Sequence, residues 1–307
     1  MGLLDMRQVQ GRIVKILLAT LLLFSVSVVV AEPVKSGGIE KSAPIVMGVF
    51  PRRNVKATYR MFMPLARYLS DKLERKVELR TNKDFKTFWA ALLQGEYDIV
   101  HMNQYHYVLA NERQGYQAIV SNIEYGQKEI AGVLMTRKDS GIDSVAELRG
   151  KRVLFGGGPR AMQSYIVARW LLQNAGLARG DYIEIFAKNP PNAIISTSHN
   201  QAEAAGVGNV VLKLKVVNQS INIDEVKFLA KGPMLTHLPW AVGKHVDTVT
   251  KEKIAKILLD MKHTETGRQV LKKAELDGFT IVQDSDFDLH REIIRDIYGD
   301  TYEVDAR

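Results

Sequence analysis

The sequence predicts an α/β protein of two lobes, because strand and helix patterns alternate in two separate runs. From Pro44 to Met102 the patterns read strand, helix, strand, helix, strand. A second run, over residues 151–217, alternates in the same way, and helical patterns close the chain. Alternation of this kind is typical of parallel sheets covered by helices. Two such units in one chain, with two crossings between them, predict two α/β lobes joined by a two-strand hinge.

Apolar spacing sets the elements of the first run. Apolar positions three and four apart predict a helix that is capped by Thr58 and runs to Leu73. A second helix is capped by Asp84 and ended by Gly95. Short apolar stretches predict strands at Pro44–Phe50, Val77–Arg80 and Tyr97–Met102.

The rest of the chain repeats these patterns and crosses between the lobes twice. Strands are predicted at Ile130–Thr136, Lys151–Phe155, Tyr182–Phe186, Val210–Val217 and Val226–Ala230, and helices at Ala161–Asn174, Ala193–Asn200, Lys251–Lys262, Gly267–Ala274 and Phe287–Tyr298. The segments Glu129–Asp139 and Ala230–Val242 are the predicted crossings. Residues 44–135 and 236–307 therefore form the first predicted lobe, and 136–235 the second.

The amino-terminal segment predicts export. Three basic residues, Arg7, Arg12 and Lys15, precede an uncharged, mainly apolar run that ends at Ala31. This pattern is typical of a signal peptide over residues 1–31. The alternative is a membrane anchor, but the run is shorter than the roughly 20 apolar residues that a spanning helix needs. Residues 32–43 are predicted to be a flexible leader, and the periplasm is the expected location.

Composition narrows the function classes. The chain has no Cys, which excludes disulfides, thiolate metal sites and cysteine nucleophiles. Its formal charge of +8 is spread along the sequence, either as ordinary surface charge or as a field that steers anions. No basic tract interleaved with aromatic residues predicts nucleic-acid binding. No hydrolase or zinc-protease motif is present, so we expect no enzyme and no cofactor.

A glycine-rich stretch follows the fourth main strand pattern. Gly157 and Gly158 precede Pro159 and Arg160, and a helix pattern then begins. Glycines allow backbone N–H groups to turn toward a ligand, and a helix start favours anions. The sequence therefore predicts an anion seat whose members are Gly157, Gly158, Arg160, Ala161, Met162, Gln163 and Ser164; the alternative is a plain tight turn.

Polar and aromatic residues follow the other predicted strands, where open parallel sheets bind ligands. Tyr59 lies near a helix start, either as a hydroxyl donor or on the packed face. Asn103, Tyr105 and Tyr107 follow the strand that ends at Met102, and they predict a cleft wall rather than a metal site at the nearby histidines. Glu203 lies among small residues and is a candidate acceptor, or simply a solvated strand end.

Several of these segments resemble one family. Gly48–Arg52, Phe62–Ser70, Asp98–Val100 with Asn103–Ala110, and Leu148–Val153 are similar to stretches of the phosphate-, phosphite- and phosphonate-binding periplasmic proteins related to the phosphonate receptor PhnD. The resemblance runs from about Ile45 to Tyr298. It implies a type II periplasmic-binding-protein fold and delivery of a small anionic ligand to the membrane permease of an ABC importer. It also implies that Tyr59, and Tyr105 or Tyr107, face the ligand.

The resemblance breaks at the second-lobe anion motif. Where the family has a Ser-Thr-Ser-Gly run, this chain reads Arg160-Ala161-Met162-Gln163. We therefore expect an arginine in place of three hydroxyl donors, with Glu203 matching the family's acidic residue. The chain is expected to act as a monomer and to bind a phosphate-, phosphite- or phosphonate-type oxyanion. A sensor-input protein that docks to a histidine kinase or chemoreceptor is the alternative, and an enzyme on the same fold is a third possibility.

Overall fold

The computed structural model describes residues 43–302 and has two main sheets. The predicted signal peptide and the leader up to residue 42 lie outside the described residues. The strand order is β13-β4-β12-β3-β1-β2 in the first sheet and β10-β6-β9-β7-β8 in the second. Helices cover both sheets, so the prediction of two α/β lobes is confirmed.

The first sheet is mixed rather than purely parallel. Its strands are β1 (Ile45–Val49), β2 (Val77–Arg80), β3 (Ile99–His101), β4 (Gln117–Ile123), β12 (Pro239–Val242) and β13 (Gly278–Ile281). Strand β1 pairs parallel with β2 and β3, whereas β12 lies antiparallel between β3 and β4. The carboxyl ends of β1, β3 and β4 therefore meet at one edge of the sheet.

Six helices belong to the chain segments of the first sheet. They are α1 (Val55–Leu73), α2 (Phe85–Leu93), α3 (Gln104–Gln114), α7 (Thr248–Asp260), α8 (Glu265–Ala274) and α9 (Asp288–Tyr298). Helix α1 is capped by Asn54, whose side chain accepts a hydrogen bond from the Ala57 N–H. The prediction that Thr58 caps this helix is wrong, because Thr58 lies within its first turn. The predicted cap Asp84 is confirmed, since its carboxylate accepts from the Thr87 N–H.

The second sheet is built from β6 (Gly132–Arg137), β7 (Arg152–Gly156), β8 (Ile183–Ala187), β9 (Ala204–Gly208) and β10 (Val226–Lys231). Strand β7 pairs parallel with β8 and β9, and β6 is antiparallel to β9 and β10. A π-helical segment, Met162–Val167, continues into helix α4 (Ala168–Asn174) and packs on this sheet. Two shorter helices follow, α5 (Pro190–Ser198) and α6 (Lys215–Asn218).

Two paired strands connect the lobes. Strand β5 (Glu129–Ile130) leads from β4 to β6, and strand β11 (Leu235–Thr236) leads from β10 to β12. The two strands pair antiparallel, with Leu235 opposite Ile130. Both lie within the predicted crossings, so the two-strand hinge is confirmed. The second sheet already begins at Gly132, and the exact lobe limits remain a prediction.

The last helix contacts both lobes. Ile293, Ile294 and Ile297 on α9 belong to one apolar cluster with Tyr165 and Leu172 of the second lobe. On the first-lobe side, the same cluster contains α3 residues. Helix α9 therefore bridges the lobes, although its chain position places it in the predicted first lobe.

One predicted element is wrong and others were missed. Residues 210–217 form no strand: the chain makes a 3₁₀ turn at Asn209–Lys213 and then the short helix α6. The β-branched residues that suggested a strand instead pack in a second-lobe core, where Val211 and Val217 are buried. Strands β4, β9, β12 and β13 carry Ser, Asn, Gly or Pro, which hid them in the sequence.

Candidate functional site

The two sheets present their strand ends to each other across a cleft. The Asn103 side-chain amide, beyond strand β3, donates a hydrogen bond of 3.1 Å to the carbonyl oxygen of Arg160, beyond strand β7. The Tyr298 hydroxyl, at the end of helix α9, also donates to this loop, to the Pro159 carbonyl at 2.6 Å. The glycine-rich loop of the second lobe is thus held against the first lobe at the edge where ligands bind in open sheets.

The loop and helix start form the geometry expected of an anion seat. Gly157 has φ +132°, a conformation that L side chains rarely adopt. The Ser164 hydroxyl donates to the Gly156 carbonyl at 2.8 Å and fixes the helix start on strand β7. Over residues 43–302, the N–H groups of Met162, Gln163 and Ser164 have no backbone or side-chain acceptor. Such orphan donors, at the positive end of a helix, attract anions.

Two side chains add hydrogen-bonding capacity at this seat. The Arg160 guanidinium is exposed and forms no hydrogen bond or ion pair within the described part of the chain. Gln163 is only 8% exposed, yet neither its amide nitrogen nor its amide oxygen has a partner among the described residues. A buried amide without partners costs free energy, unless a ligand or water satisfies it.

The remaining predicted members of the seat contribute backbone or packing. Met162 is buried in the apolar cluster of the second lobe, so its side chain faces the core. Ala161 donates its N–H to the Gly158 carbonyl and packs against the same cluster. The polar side chains of the 157–164 stretch are therefore those of Arg160, Gln163 and Ser164. The Ser164 hydroxyl is engaged by the Gly156 carbonyl, and the side chains of Arg160 and Gln163 have no partner among residues 43–302.

Asn103 joins the two walls of the cleft. It caps helix α3 by accepting a hydrogen bond from the His106 N–H, and its Oδ1 also lies 2.8 Å from His106 Nδ1. Its amide nitrogen is the donor to Arg160. All of its polar atoms are engaged, so Asn103 positions the second-lobe loop. Tyr59 is half-exposed on α1, where its hydroxyl donates to the Leu79 carbonyl at 3.3 Å.

Tyr105 and Tyr107 do not reach the seat. Both are buried within the fold. The Tyr105 hydroxyl donates to the Tyr302 carbonyl at 2.8 Å. The Tyr107 hydroxyl donates to Asp284 at 2.5 Å and accepts from the Ala118 N–H. Because these hydroxyls satisfy backbone and core groups, the two tyrosines hold helix α3 in place.

Glu203 lies at the opposite end of the second sheet. It precedes strand β9, next to the start of β7, whereas the seat follows the end of β7. Its carboxylate accepts from the Arg152 guanidinium at 2.7 Å and from the Arg152 N–H at 2.7 Å. These hydrogen bonds lower the pKa of Glu203. The carboxylate therefore serves strand pairing, away from the cleft.

The sequence did not reveal a buried polar cluster in the first lobe. Glu124 follows strand β4, accepts from Asn122 at 2.9 Å and lies 3.5 Å from the Arg52 guanidinium. Burial is the largest single influence and opposes ionisation of Glu124. Arg52, His237, Asn122 and His101 together outweigh it, so the pKa of Glu124 falls below its ordinary value. The sequence carries only a weak signal for this cluster. The Ser and Asn residues of strand β4 interrupt its apolar pattern, so neither the strand nor the polar residues at its end are predicted.

Two histidines complete this cluster. His101 stacks on Trp240 with ring centroids 4.6 Å apart, and burial lowers the pKa of its imidazole to about 4. Burial likewise lowers the pKa of His237 to about 4. The neighbouring cavity has a volume of about 40 Å³, room for about three water molecules. Its lining includes Arg52 and Glu124 of the first lobe and Leu214 of the second.

No metal site is present in the described region: residues 43–302 contain no group of three or more His, Asp or Glu side chains able to hold an ion. The same residues include no helix long and apolar enough to cross a membrane.

The paired crossing strands, the two mixed sheets and the facing strand ends define the class of protein. This is the type II periplasmic-binding-protein fold, which the family resemblance implied. Residues 47–287 match the family model described as ABC transporter, phosphonate, periplasmic substrate-binding protein. The chain belongs to this family.

A curated relative and several solved structures are similar to the chain. It is 21% identical over 215 residues to the phosphonates-binding periplasmic protein of Escherichia coli; the match covers 67% of this chain and 63% of that protein. The PhnD1 structure from Prochlorococcus marinus in complex with methylphosphonate has a TM-score of 0.70 at 14% identity, covering 83% of this chain and 98% of that one. A Xanthomonas citri protein bound to ATP has a TM-score of 0.71 at 16% identity, covering 82% and 96%.

Proposed function

We propose that this chain captures a phosphonate-type oxyanion in the interlobe cleft and delivers it to the permease of an ABC importer. Family membership supports the class of ligand and the transport role. The observation that carries the proposal is the set of unpaired donors at the start of the 162–174 helical segment. Three backbone N–H groups, the Gln163 amide and the Arg160 guanidinium belong to this short stretch, and all of them can donate to anionic oxygens.

Arg160 is the residue that replaces the family's hydroxyl donors in this proposal. Its positive charge is close enough to the first lobe to lower the pKa of the buried His106 further, after burial itself. A guanidinium in this position offers two parallel N–H groups to one oxyanion. The first lobe then contributes the opposing wall and, through Asn103, the contact that holds the loop.

The location and the partner follow from the same proposal. The predicted signal peptide and the periplasmic family support action in the periplasm, as a monomer and without catalysis. Lobe closure around the ligand would present both lobes to the permease together, and the two-strand hinge provides for that motion.

Calorimetric titration of the wild-type protein with methylphosphonate tests the proposal. We expect saturable binding of one anion per chain, and a ligand-dependent rise in the unfolding midpoint, since binding to the native state stabilises it. Arg160→Ala should weaken binding by about tenfold to a hundredfold, the range for a hydrogen bond to a charged group.

Arg67→Ala is the matched control, because Arg67 is an exposed arginine on helix α1 and its removal changes the net charge equally. Affinity should stay at the wild-type level in that variant. Equal affinities of wild type and Arg160→Ala would remove Arg160 from the site. Absence of binding to phosphonate, phosphite and phosphate alike would overturn the oxyanion assignment.

A further inference from the structure

An aromatic surface lies on the first-lobe wall of the cleft, outside the roles assigned so far. Phe85 begins helix α2 after strand β2, and its ring is 40% exposed. It stacks on the imidazole of His106 with centroids 5.5 Å apart and an interplanar angle of 14°. Phe50, at the end of strand β1, approaches Phe85 with centroids 6.0 Å apart. The three rings come from segments that follow three strands. Phe85 is the exposed ring, Phe50 (5% exposed) and His106 pack against it, and we call this group the Phe85 surface.

The Phe85 surface is held rigidly from behind. His106 is 1% exposed, and the ring of Trp89 lies 5.3 Å from it. Asn103 fixes the imidazole through its contact with Nδ1. Burial lowers the pKa of His106 to about 3, so the ring is neutral at physiological pH. An exposed aromatic ring on a rigid, uncharged base is suited to stacking with an apolar group.

The Phe85 surface and the anion seat are joined by a single side chain. Asn103 contacts His106 through its oxygen and the Arg160 carbonyl through its nitrogen. The backbone of the loop at Arg160 is therefore separated from the His106 ring by the Asn103 side chain alone. The 157–164 stretch offers cationic and N–H donors on one side of Asn103, and the Phe85 surface offers aromatic carbon on the other.

We propose that the cleft binds an organic phosphonate whose anionic group occupies the 157–164 seat and whose aromatic substituent packs on Phe85. This inference rests on the proposed function and specifies the ligand of the same site. It separates the chain's ligand from inorganic phosphate and phosphite, which have no group to cover Phe85. Burying an aromatic ring against Phe85 adds area and a stacking interaction that a methyl group does not supply.

The test compares phenylphosphonate with methylphosphonate by calorimetric titration. Wild-type protein should bind phenylphosphonate at least tenfold more tightly. Phe85→Ala should lose that preference while its affinity for methylphosphonate stays within about twofold to threefold, since the anion seat is intact. Phe85→Leu, which keeps an apolar side chain at the helix start, should lose most of the preference as well.

Phe228→Ala is the matched control. Phe228 is 49% exposed on strand β10, an edge of the second sheet, and has no stacked partner ring within the described chain. Its removal should leave both affinities unchanged. Equal affinity of the wild type for the two ligands, or an undiminished preference in Phe85→Ala and Phe85→Leu, contradicts the aromatic subsite while the proposed function stands. Failure of both ligands to bind the wild type overturns the proposed function and the subsite together.

Discussion

A polar cluster on the first-lobe wall and the 157–164 loop of the second lobe differ in how their hydrogen-bonding groups are paired. In the first lobe, Asn122 donates to Glu124, and the Trp240 indole donates to Asn122 at 2.9 Å. The Nε2 atoms of His106 and His237 lack a partner among the described residues. In the second lobe, the 157–164 loop keeps donors without partners, among them the buried amide of Gln163. A wall whose polar groups are paired is preorganised, whereas a wall with unpaired donors gains stability when an anion arrives.

This difference separates candidate binding residues from structural ones. Tyr107 is an aromatic hydroxyl of the kind that binds anions, yet Asp284 and Ala118 engage it inside the fold. Arg160 has no partner within residues 43–302 and remains available. The predictions below test this contrast between the paired side chains named in the first lobe and the unpaired donors of the 157–164 loop.

The largest expected effect is a loss of stability in acid, caused mainly by first-lobe histidines. Burial lowers the pKa of His101 and His237 to about 4, and that of His106 and His290 to about 3, from an unfolded value of 6.5. Below pH 6.5 the unfolded chain binds more protons than the folded one. The free energy of unfolding should therefore fall by about 1.4 kcal/mol per pH unit for each histidine down to pH 4.

Urea titrations between pH 7.5 and 4 measure this dependence. The free energy of unfolding should not vary with the titration of these groups above pH 7, because all four histidines are then neutral in both states. The variant His106→Phe should reduce the slope between pH 6 and pH 4 by about one proton. An unchanged slope in that variant would contradict the buried position of His106, because a solvent-exposed imidazole binds its proton equally in the folded and unfolded states.

Close packing beneath the seat gives the next largest effect. A Cβ on Gly206 would lie 2.6 Å from the Ser164 carbonyl and 2.7 Å from the Phe155 ring. Gly206→Ala should therefore destabilise the protein by about 3 kcal/mol, the upper end for overpacking, in urea unfolding. Gly158→Ala is the control, since nothing lies within 4 Å of its added Cβ. Similar midpoints in both variants would show that helix α4 is not seated on strand β9.

Removing a satisfied first-lobe hydroxyl should affect stability but not binding. Tyr107→Phe leaves the Ala118 N–H without its acceptor and removes one donor from Asp284, which keeps the Arg291 guanidinium, at a cost of about 1–2 kcal/mol. Its dissociation constant for methylphosphonate should equal that of the wild type. A clear loss of affinity with unchanged stability would instead place Tyr107 at the ligand.

The smallest effect is expected at Glu203. The Arg152–Glu203 ion pair is partly exposed, so Glu203→Gln should change the free energy of unfolding by no more than about 1 kcal/mol. Methylphosphonate affinity should not change, because this pair lies at the far end of strand β7. A tenfold loss of affinity measured by titration would contradict that placement.

The sequence predicted the architecture better than the side-chain contacts. Alternating patterns and the two crossings were sufficient for two lobes and a hinge, because both depend on local periodicity. The roles of Tyr107 and Glu203 depended on partners 177 and 51 positions away in the chain, Asp284 and Arg152. The turn of the 157–164 loop into a helix start was predictable because these residues are contiguous, and its role as an anion seat stays a prediction. The exposure of Phe85 was not predictable, because apolar spacing does not show that its ring stacks on His106 and stays 40% exposed.

A crystal structure of the chain with methylphosphonate tests the central claim most directly. The account predicts phosphonate oxygens within hydrogen-bonding distance of the N–H groups of residues 162–164 and of the Arg160 guanidinium, with Gln163 engaged. A phosphonate bound elsewhere, for example beside Arg52 and the Glu124 cavity with the 157–164 loop unoccupied, would contradict it.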